Sequence, residues 1–167
     1  MASGCDKLEV VFGDLLSCRE DYLCHQCNCT SKKSAGLAQK IFQKFPSTND
    51  YATRRTPSEP GTVSVHHLER YYGGPMSVIN MFAQRGPGKA RAWGDDSKEM
   101  RLTWFTQCLY ACLDKTPRGS KFAFPFGIGC GLAGGSWDSY FAILKTWSED
   151  FRVGKVVLYH LTSGRAN

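Results

Sequence analysis

The chain has 167 residues, with 21 Lys and Arg against 15 Asp and Glu and a net charge of +6 at pH 7. Its hydrophobic fraction of 42% and charged fraction of 22% are typical of a globular domain and exclude a disordered chain, a fibre and a coiled coil. No apolar run approaches the roughly 20 residues that span a bilayer, and the N-terminus lacks the pattern of a signal peptide. We therefore expect one monomeric domain over residues 1–167 that contacts no membrane and acts in the cytoplasm or the nucleus.

The positive charges are scattered along the chain and do not alternate with aromatic residues. Nucleic acid is therefore a poor match as a partner, whereas a small anionic ligand such as a nucleotide needs only a few cationic or N–H groups. The eight cysteines lack paired metal-ligand spacing, and a core of this size needs no disulfides. We expect reduced thiols, no metal site and no cofactor.

Apolar runs predict six short strands, and helical spacing predicts three helices between them. The strands are expected over residues 8–12, 22–27, 62–66, 77–83, 121–126 and 155–161. The first helix follows Ser34 and stops at Pro46, the second begins at a capping box formed by Asp96 and Glu99, and the third follows Ser136. Strands that alternate with helices predict a layered α/β domain, with helices on both faces of a largely parallel sheet.

A glycine-rich segment, residues 127–135, lies between the fifth strand and the third helix and holds five of the 17 glycines. Glycines at such a junction let backbone N–H groups approach a phosphate, and the following helix N-terminus adds partial positive charge. Gly129, Gly131 and Gly134 also match GxGxxG, but only one helix and one strand follow, which does not fit a dinucleotide fingerprint. The segment predicts a phosphate-binding loop, and a tight turn that needs small residues is the alternative.

A second polar segment, residues 24–38, joins the second strand to the first helix. Its three cysteines and His25 suggest zinc, but no second pair of ligands follows, so metal is the weaker interpretation. Asn28 ends a buried strand and needs hydrogen-bond partners, so it either faces a ligand or ties down a loop. Asp14, directly after the first strand, is by its position alone a turn cap.

Five segments, taken in chain order, resemble the macro domain family and most closely its ADP-ribose 1''-phosphate phosphatase branch: VFGDLL, QCNCTSKKSAGLAQKIFQKF, VINMFAQRGPGK, RLTWFTQCL and FPFGIGCGLAGGSW. The resemblance extends over about residues 8–161. It implies a three-layer α/β/α fold with a mixed, largely parallel central sheet. It also implies a cleft for ADP-ribose, for a derivative substituted at the 1'' position, or for an ADP-ribosylated protein.

By this resemblance, Asp14 would bind the adenine amino group, the Leu15 N–H would lie beside it, and Tyr159 would pack on the adenine ring. Asn28 would contact the distal ribose, close to Gln84 at the end of the fourth strand. Two backbone segments would hold the phosphates: Ser34, Ala35, Gly36 and Leu37 in one, and Gly127, Ile128, Gly129, Cys130, Gly131, Leu132 and Ala133 in the other.

The resemblance further implies a hydrolase that acts at the distal ribose and removes the phosphate of ADP-ribose 1''-phosphate. Removal of ADP-ribose from a protein or nucleic acid, and binding without turnover, are the alternatives. Gln84 and Ala133 stand where relatives that act on ADP-ribosylated glutamate carry a lysine and an aspartate, so that mechanism does not transfer. The candidate catalytic groups are Asn28, His25 and Asp138.

Overall fold

The structure is a computed structural model, which describes residues 6–69, 73–92 and 94–161. The strands are β1 (Leu8–Phe12), β2 (Tyr22–Asn28), β3 (Val63–His67), β4 (Ser77–Gln84), β5 (Ser120–Pro125) and β6 (Val153–His160). The helices are α1 (Gly36–Lys44), α2 (Asp50–Thr53), α3 (Lys98–Asp114) and α4 (Trp137–Ser148), with 3-10 turns at Leu15–Ser17 and Pro46–Thr48. Strand bounds agree with the predicted ones to within two residues.

All six strands form one sheet in the order β1-β6-β5-β2-β4-β3. Every neighbouring pair is parallel except β3 and β4, which are antiparallel. The sheet is therefore mixed and largely parallel, as predicted. Because parallel strands all end at one edge, the segments after β1, β2, β4, β5 and β6 meet there.

Two apolar cores flank the sheet, which confirms the three-layer α/β/α architecture. One core packs α3 and α4 on the sheet through side chains such as Phe105 and Trp147. The other packs α1 and α2 on the opposite face through Ile41, Phe42 and Tyr51. Each such fully buried side chain stabilises the fold by about 1.5–3 kcal/mol. Both faces of β4 are covered, and all eight of its residues are buried, which explains its continuous apolar sequence.

The pairing of β2 with β4 shifts by one residue at the end of the two strands. Cys27 lies opposite Phe82, but Asn28 lies opposite Gln84, so Ala83 is an extra residue in β4. Such bulges redirect side chains at strand ends. Here the shift places two amide side chains next to each other at the edge of the sheet.

The predicted capping box of α3 is wrong. Ser97 caps the helix by accepting the Met100 N–H at 3.2 Å. Asp96 is instead buried against Arg101, with an oxygen–nitrogen distance of 2.8 Å, and accepts two backbone N–H groups of the segment after β4. Burial raises the pKa of Asp96, but the hydrogen bonds and the Arg101 charge outweigh it and hold this pKa below the usual value.

The described ranges contain no helix that is long and apolar enough to cross a membrane. In the same ranges no three His, Cys, Asp or Glu side chains cluster in a way that would hold a metal ion. The cysteines of these ranges form no disulfide. Cys5 lies outside the described residues.

Candidate functional site

A cleft of about 570 Å³ opens at the edge of the sheet where β2, β4 and β5 end. Its walls are the segment from β2 into α1 and the glycine-rich segment after β5. Many predicted site residues line it: His25, Asn28, Ala35, Leu37, Gln84, Gly127, Ile128, Gly129, Gly131, Leu132 and Ala133. Others lie outside its lining: Asp14, Leu15, Ser34, Gly36, Cys130, Asp138 and Tyr159.

The second loop, residues 127–133, lines the cleft with all its residues except Cys130 and contains backbone N–H groups without acceptors. Its Ile128 and Cys130 N–H groups donate to the Pro125 and Gly127 carbonyls, at 3.1 and 2.9 Å. Within the described ranges the loop's other N–H groups donate to no acceptor, namely those of Gly127, Gly129, Gly131, Leu132 and Ala133. A run of unpaired N–H groups in a concave loop is suited to bind an anion.

Close packing explains why glycine is needed in this region. Gly129 has a φ of +81°, and a Cβ built on it would lie 2.5 Å from the Tyr140 ring. A Cβ at Gly135 would lie 2.6 Å from the Gly129 carbonyl oxygen. Tyr140 is itself fixed against Phe105, with ring centroids 4.7 Å apart. The tight turn is therefore observed, and it is also what leaves the loop's N–H groups unpaired.

The first loop, residues 29–35, is organised by Asn28. The Asn28 Oδ1 accepts the N–H groups of Thr30 and Ser31 at 3.0 and 2.8 Å, and its backbone N–H donates to the Tyr51 hydroxyl at 2.7 Å. Asn28 thus ties down the loop, one of the two roles expected of it. Its Nδ2 has no hydrogen-bond partner in the described part of the chain, and the residue lines the cleft, so this donor is available to a ligand.

The N-terminus of α1 adds donors on the same side of the cleft. Ala35 rather than Ser34 occupies the cap position, and no side chain caps the helix. The N–H groups of the first turn therefore lack intrahelical acceptors. Leu37 and Ala38 from this turn line the cleft, as does the exposed Lys33. Both the helix terminus and the Lys33 charge favour an anion.

Two glutamines, Gln26 on β2 and Gln84 at the end of β4, form part of the cleft lining. Gln26 Nε2 donates to Gln84 Oε1 at 2.8 Å, and Gln84 Nε2 donates to the Gly86 carbonyl at 3.0 Å. Both side chains line the cleft, and neither ionises. Gln84 can orient a ligand but cannot serve as an acid, a base or a nucleophile.

His25 also lines the cleft but is only 1% exposed. Its Nε2 lies 2.6 Å from Asn80 Oδ1. The Asn80 Nδ2 donates to the Thr48 carbonyl and to Asp50, so the Asn80 oxygen must accept from His25. Burial lowers the pKa of His25 to about 4, despite the hydrogen bond with Asn80 and the Asp50 charge. The imidazole is neutral at pH 7, its Nε2 proton is already bonded, and this geometry favours a structural role.

The remaining predicted side chains lie around the cleft rather than in it. Asp14 is exposed and accepts the Leu16 N–H at 2.9 Å, which makes it a turn cap. Tyr159 donates from its hydroxyl to Glu20 at 2.7 Å. Asp138 is exposed in the first turn of α4. Ligand contacts of Asp14 and Tyr159, and a catalytic role of Asp138, stay predictions.

Sequence reasoning missed Gln26, Lys33 and Tyr51, which also line the cleft. Gln26 is two residues before Asn28 on one strand, and residues two apart on a strand share a face, so this period could have identified it. Tyr51 lies on the four-residue α2, which is too short for a helical pattern to be recognised.

No family model and no curated protein matches this sequence. Solved structures do match it in shape, among them the macrodomain of Mycobacterium tuberculosis DarG, with a TM-score of 0.68 and 18% identity over 90% of this chain and 97% of that one. The chain has the macrodomain fold. A Bacteroides thetaiotaomicron protein of unknown function shares this macrodomain-like shape, with a TM-score of 0.68 and 22% identity over 92% and 98% of the two chains.

The Trypanosoma brucei macrodomain in complex with ADP-ribose also matches, with a TM-score of 0.62 and 11% identity. The match covers 93% of this chain and 64% of that one. At these identities the likeness establishes the macrodomain fold alone. The resemblance to the phosphatase branch stays a prediction.

Proposed function

We propose that the cleft binds ADP-ribose and that the protein hydrolyses a group from the distal ribose, the phosphate of ADP-ribose 1''-phosphate in the simplest case. One observation carries the proposal: unpaired backbone N–H groups of the second loop lie across the cleft from the uncapped N-terminus of α1. A diphosphate has anionic oxygens on both sides and needs donors on both. A protein of the same fold binds ADP-ribose, which supports this choice of ligand.

The order of the strands suggests how ADP-ribose would be oriented along the edge of the sheet. On one side of the sheet, Asp14 follows β1 and Tyr159 lies near the end of β6. In the middle, the second loop follows β5 and the first loop follows β2. Asn28 and Gln84 lie at the ends of β2 and β4 on the other side. We place the adenine near Asp14, the diphosphate between the loops, and the distal ribose over Asn28 and Gln84.

Hydrolysis of the 1''-phosphate consumes one water, breaks the phosphorus–oxygen bond, and releases ADP-ribose and inorganic phosphate. No Asp or Glu lines the cleft in the described ranges, so catalysis rests on orientation and on donors aimed at developing negative charge. The Asn28 Nδ2 is the side-chain donor best placed for that role. Without a general base the expected turnover is slow.

Binding without turnover is the second candidate, and the same lack of carboxylates favours it. His25 is neutral and already hydrogen-bonded, and Gln84 does not ionise. A reader of ADP-ribose needs only the donors of the two loops. The two candidates therefore share the binding site and differ only in what happens at the distal ribose.

The deciding experiment incubates the protein separately with ADP-ribose 1''-phosphate and with a mono-ADP-ribosylated protein, and follows release of phosphate and of ADP-ribose. Calorimetry with ADP-ribose tests the binding step. Asn28→Asp is the matched variant, because a carboxylate oxygen still accepts the Thr30 and Ser31 N–H groups while the Nδ2 donor is lost.

Phosphate release that Asn28→Asp abolishes supports the phosphatase. ADP-ribose release from the protein substrate alone supports the glycosyl hydrolase instead. Binding with neither release supports the reader. If calorimetry shows no binding of ADP-ribose to the wild type, the proposed function is wrong.

A further inference from the structure

Arg54, directly after α2, does not line the cleft itself but packs against Asn28 and Tyr51, which do. Its Nη2 donates to the Asn28 carbonyl at 3.0 Å. The guanidinium lies 4.7 Å from the Tyr51 ring centroid and 5.6 Å from that of Phe82. Asn28 and Tyr51 both line the cleft, so this charge stands immediately behind the wall where the distal ribose is placed.

This guanidinium is not neutralised. Its Nε and Nη1 are buried without a hydrogen-bond partner, and among the described residues no carboxylate oxygen lies within 4.0 Å of it. Arg101 shows the usual arrangement in the same molecule, because it pairs with Asp96 through two nitrogens. A half-buried cation that lacks a counterion exerts a field that water screens poorly.

Two further cations lie near Arg54. Lys32 donates from its ammonium group to the Arg54 carbonyl, and Lys33 lines the cleft. The described lining of the cleft contains no carboxylate, and Gln84 beside Asn28 is neutral. Asp50 brings one negative charge near His25, but it is bound by Ser64, His66 and Asn80 rather than by Arg54. The three cations Arg54, Lys32 and Lys33 outnumber it at the far end of the cleft, although no cation is needed there to bind an uncharged ribose.

Arg54 also fixes the position of Asn28. The Asn28 carbonyl accepts from Arg54, its N–H donates to Tyr51, and its Oδ1 accepts two N–H groups of the first loop. These bonds hold every polar atom of Asn28 except Nδ2. The hydrogen bond from Arg54 to the Asn28 carbonyl therefore holds the guanidinium charge close to the free Asn28 Nδ2 donor.

We propose that Arg54 is a specificity-determining residue, which makes the far end of the cleft select a distal ribose that carries an anionic group. The inference rests on the proposed function, since it takes the ligand and its direction in the cleft from there. It adds that ADP-ribose 1''-phosphate binds more tightly than ADP-ribose, and that the difference depends on the charge of residue 54.

The test measures binding of ADP, ADP-ribose and ADP-ribose 1''-phosphate by competition, read before appreciable turnover. Wild type should prefer the 1''-phosphate over ADP-ribose by about tenfold, and added salt should reduce that preference. Arg54→Gln keeps a donor for the Asn28 carbonyl but removes the charge, so the preference should vanish while the affinity for ADP stays within about threefold. Arg54→Lys should keep most of the preference.

Arg118→Met is the matched control, because it removes one positive charge from a residue that packs on Phe151 and does not line the cleft. It should leave the preference unchanged, and thermal melts of all variants check that they fold. A preference that survives in Arg54→Gln overturns the inference. So does a wild type that binds ADP-ribose without any preference, which leaves the proposed binding function intact. A wild type that binds none of the ligands overturns both.

Discussion

The two loops that face each other across the cleft offer the same backbone donors by different means. The second loop relies on glycines, because its turns and its contact with Tyr140 leave no room for a side chain at Gly129. The first loop, residues 29–35, contains no glycine and is held instead by the side chain of Asn28 and by Tyr51. A Cβ built on Gly36, the first residue of α1, would lie 2.9 Å from the Leu132 side chain, so the second loop packs closely on the start of that helix.

The two loops are therefore sensitive to different substitutions. A loop shaped by glycines fails when a methyl group is added at the crowded position, and tolerates change where there is open space. A loop shaped by side-chain hydrogen bonds fails when an acceptor is removed.

Gly129→Ala tests the second loop. Its positive φ disfavours alanine, and the added Cβ would clash with Tyr140, so the free energy of unfolding should fall by about 2–4 kcal/mol and ADP-ribose binding should be lost. Gly131→Ala is the control, since a Cβ there meets nothing within 4 Å. Urea unfolding of both variants is the measurement. Equal stability of the two would contradict the packing argument.

Low pH should lower the free energy of unfolding through His25, which lies on β2, the strand that leads into the first loop. The folded protein has a His25 pKa of about 4, against 6.5 for an unperturbed histidine, so only the unfolded state gains the proton as the pH falls below 6.5. Between pH 7 and 4.5 this should cost about 2–3 kcal/mol of stability. The aspartates with lowered pKa titrate below that range, namely Asp6, Asp50, Asp96 and Asp150.

The check is urea unfolding of the wild type and of His25→Gln at both pH values. The variant should lose about 2–3 kcal/mol less than the wild type on acidification, because its side chain takes up no proton. An identical loss in both proteins would show that another group causes the acid sensitivity.

Asn28→Ala tests how the first loop is held. Removing Oδ1 leaves the Thr30 and Ser31 N–H groups without their acceptor, which should lower the free energy of unfolding by about 1–2 kcal/mol. Asn28→Asp keeps the acceptor and should change stability by less than about half of that. Thermal and urea unfolding give the comparison. If both variants are as stable as the wild type, Asn28 does not organise the loop.

Asp14→Asn tests a contact outside both loops. The amide oxygen still accepts the Leu16 N–H, so stability should hold, whereas the loss of a charged acceptor for the adenine amino group should weaken ADP-ribose binding roughly tenfold. Calorimetry with ADP-ribose and with ribose 5-phosphate, which lacks adenine, separates this effect. An unchanged affinity for ADP-ribose would remove Asp14 from the site.

The sheet and the three long helices could be predicted because their signals are local. β4 is a continuous apolar run since it is buried on both faces, and α4 repeats apolar residues at helical spacing. The start of α3 could not be read in the same way, because Asp96 is drawn into the ion pair with Arg101 and so does not cap the helix. Only the three-dimensional packing decides between those two roles.

The residues of the candidate site also fall into those that local sequence signals predict and those that only the packing reveals. The glycines of the second loop and the polar Asn28 predicted where a ligand would be bound. Arg54 could not be predicted, because its partner Asn28 is 26 residues away and the intervening α2 has no helical pattern. The turn-cap role of Asp14 was predicted from its position and is observed, while its ligand role depends on an adenine that only binding experiments can place.

The one-residue slip between β2 and β4 makes strand length, rather than residue identity, a determinant of the far end of the cleft. Replacing Ala83 by another small residue leaves Gln84 opposite Asn28. Deleting Ala83 restores the regular pairing with Gln84 still opposite Asn28, but Gln84 then takes the place of Ala83 in the alternation and its side chain turns to the other face of the sheet. The loss of a single codon would thus keep the same amide opposite Asn28 but turn its side chain away from the end of the cleft where the distal ribose is placed.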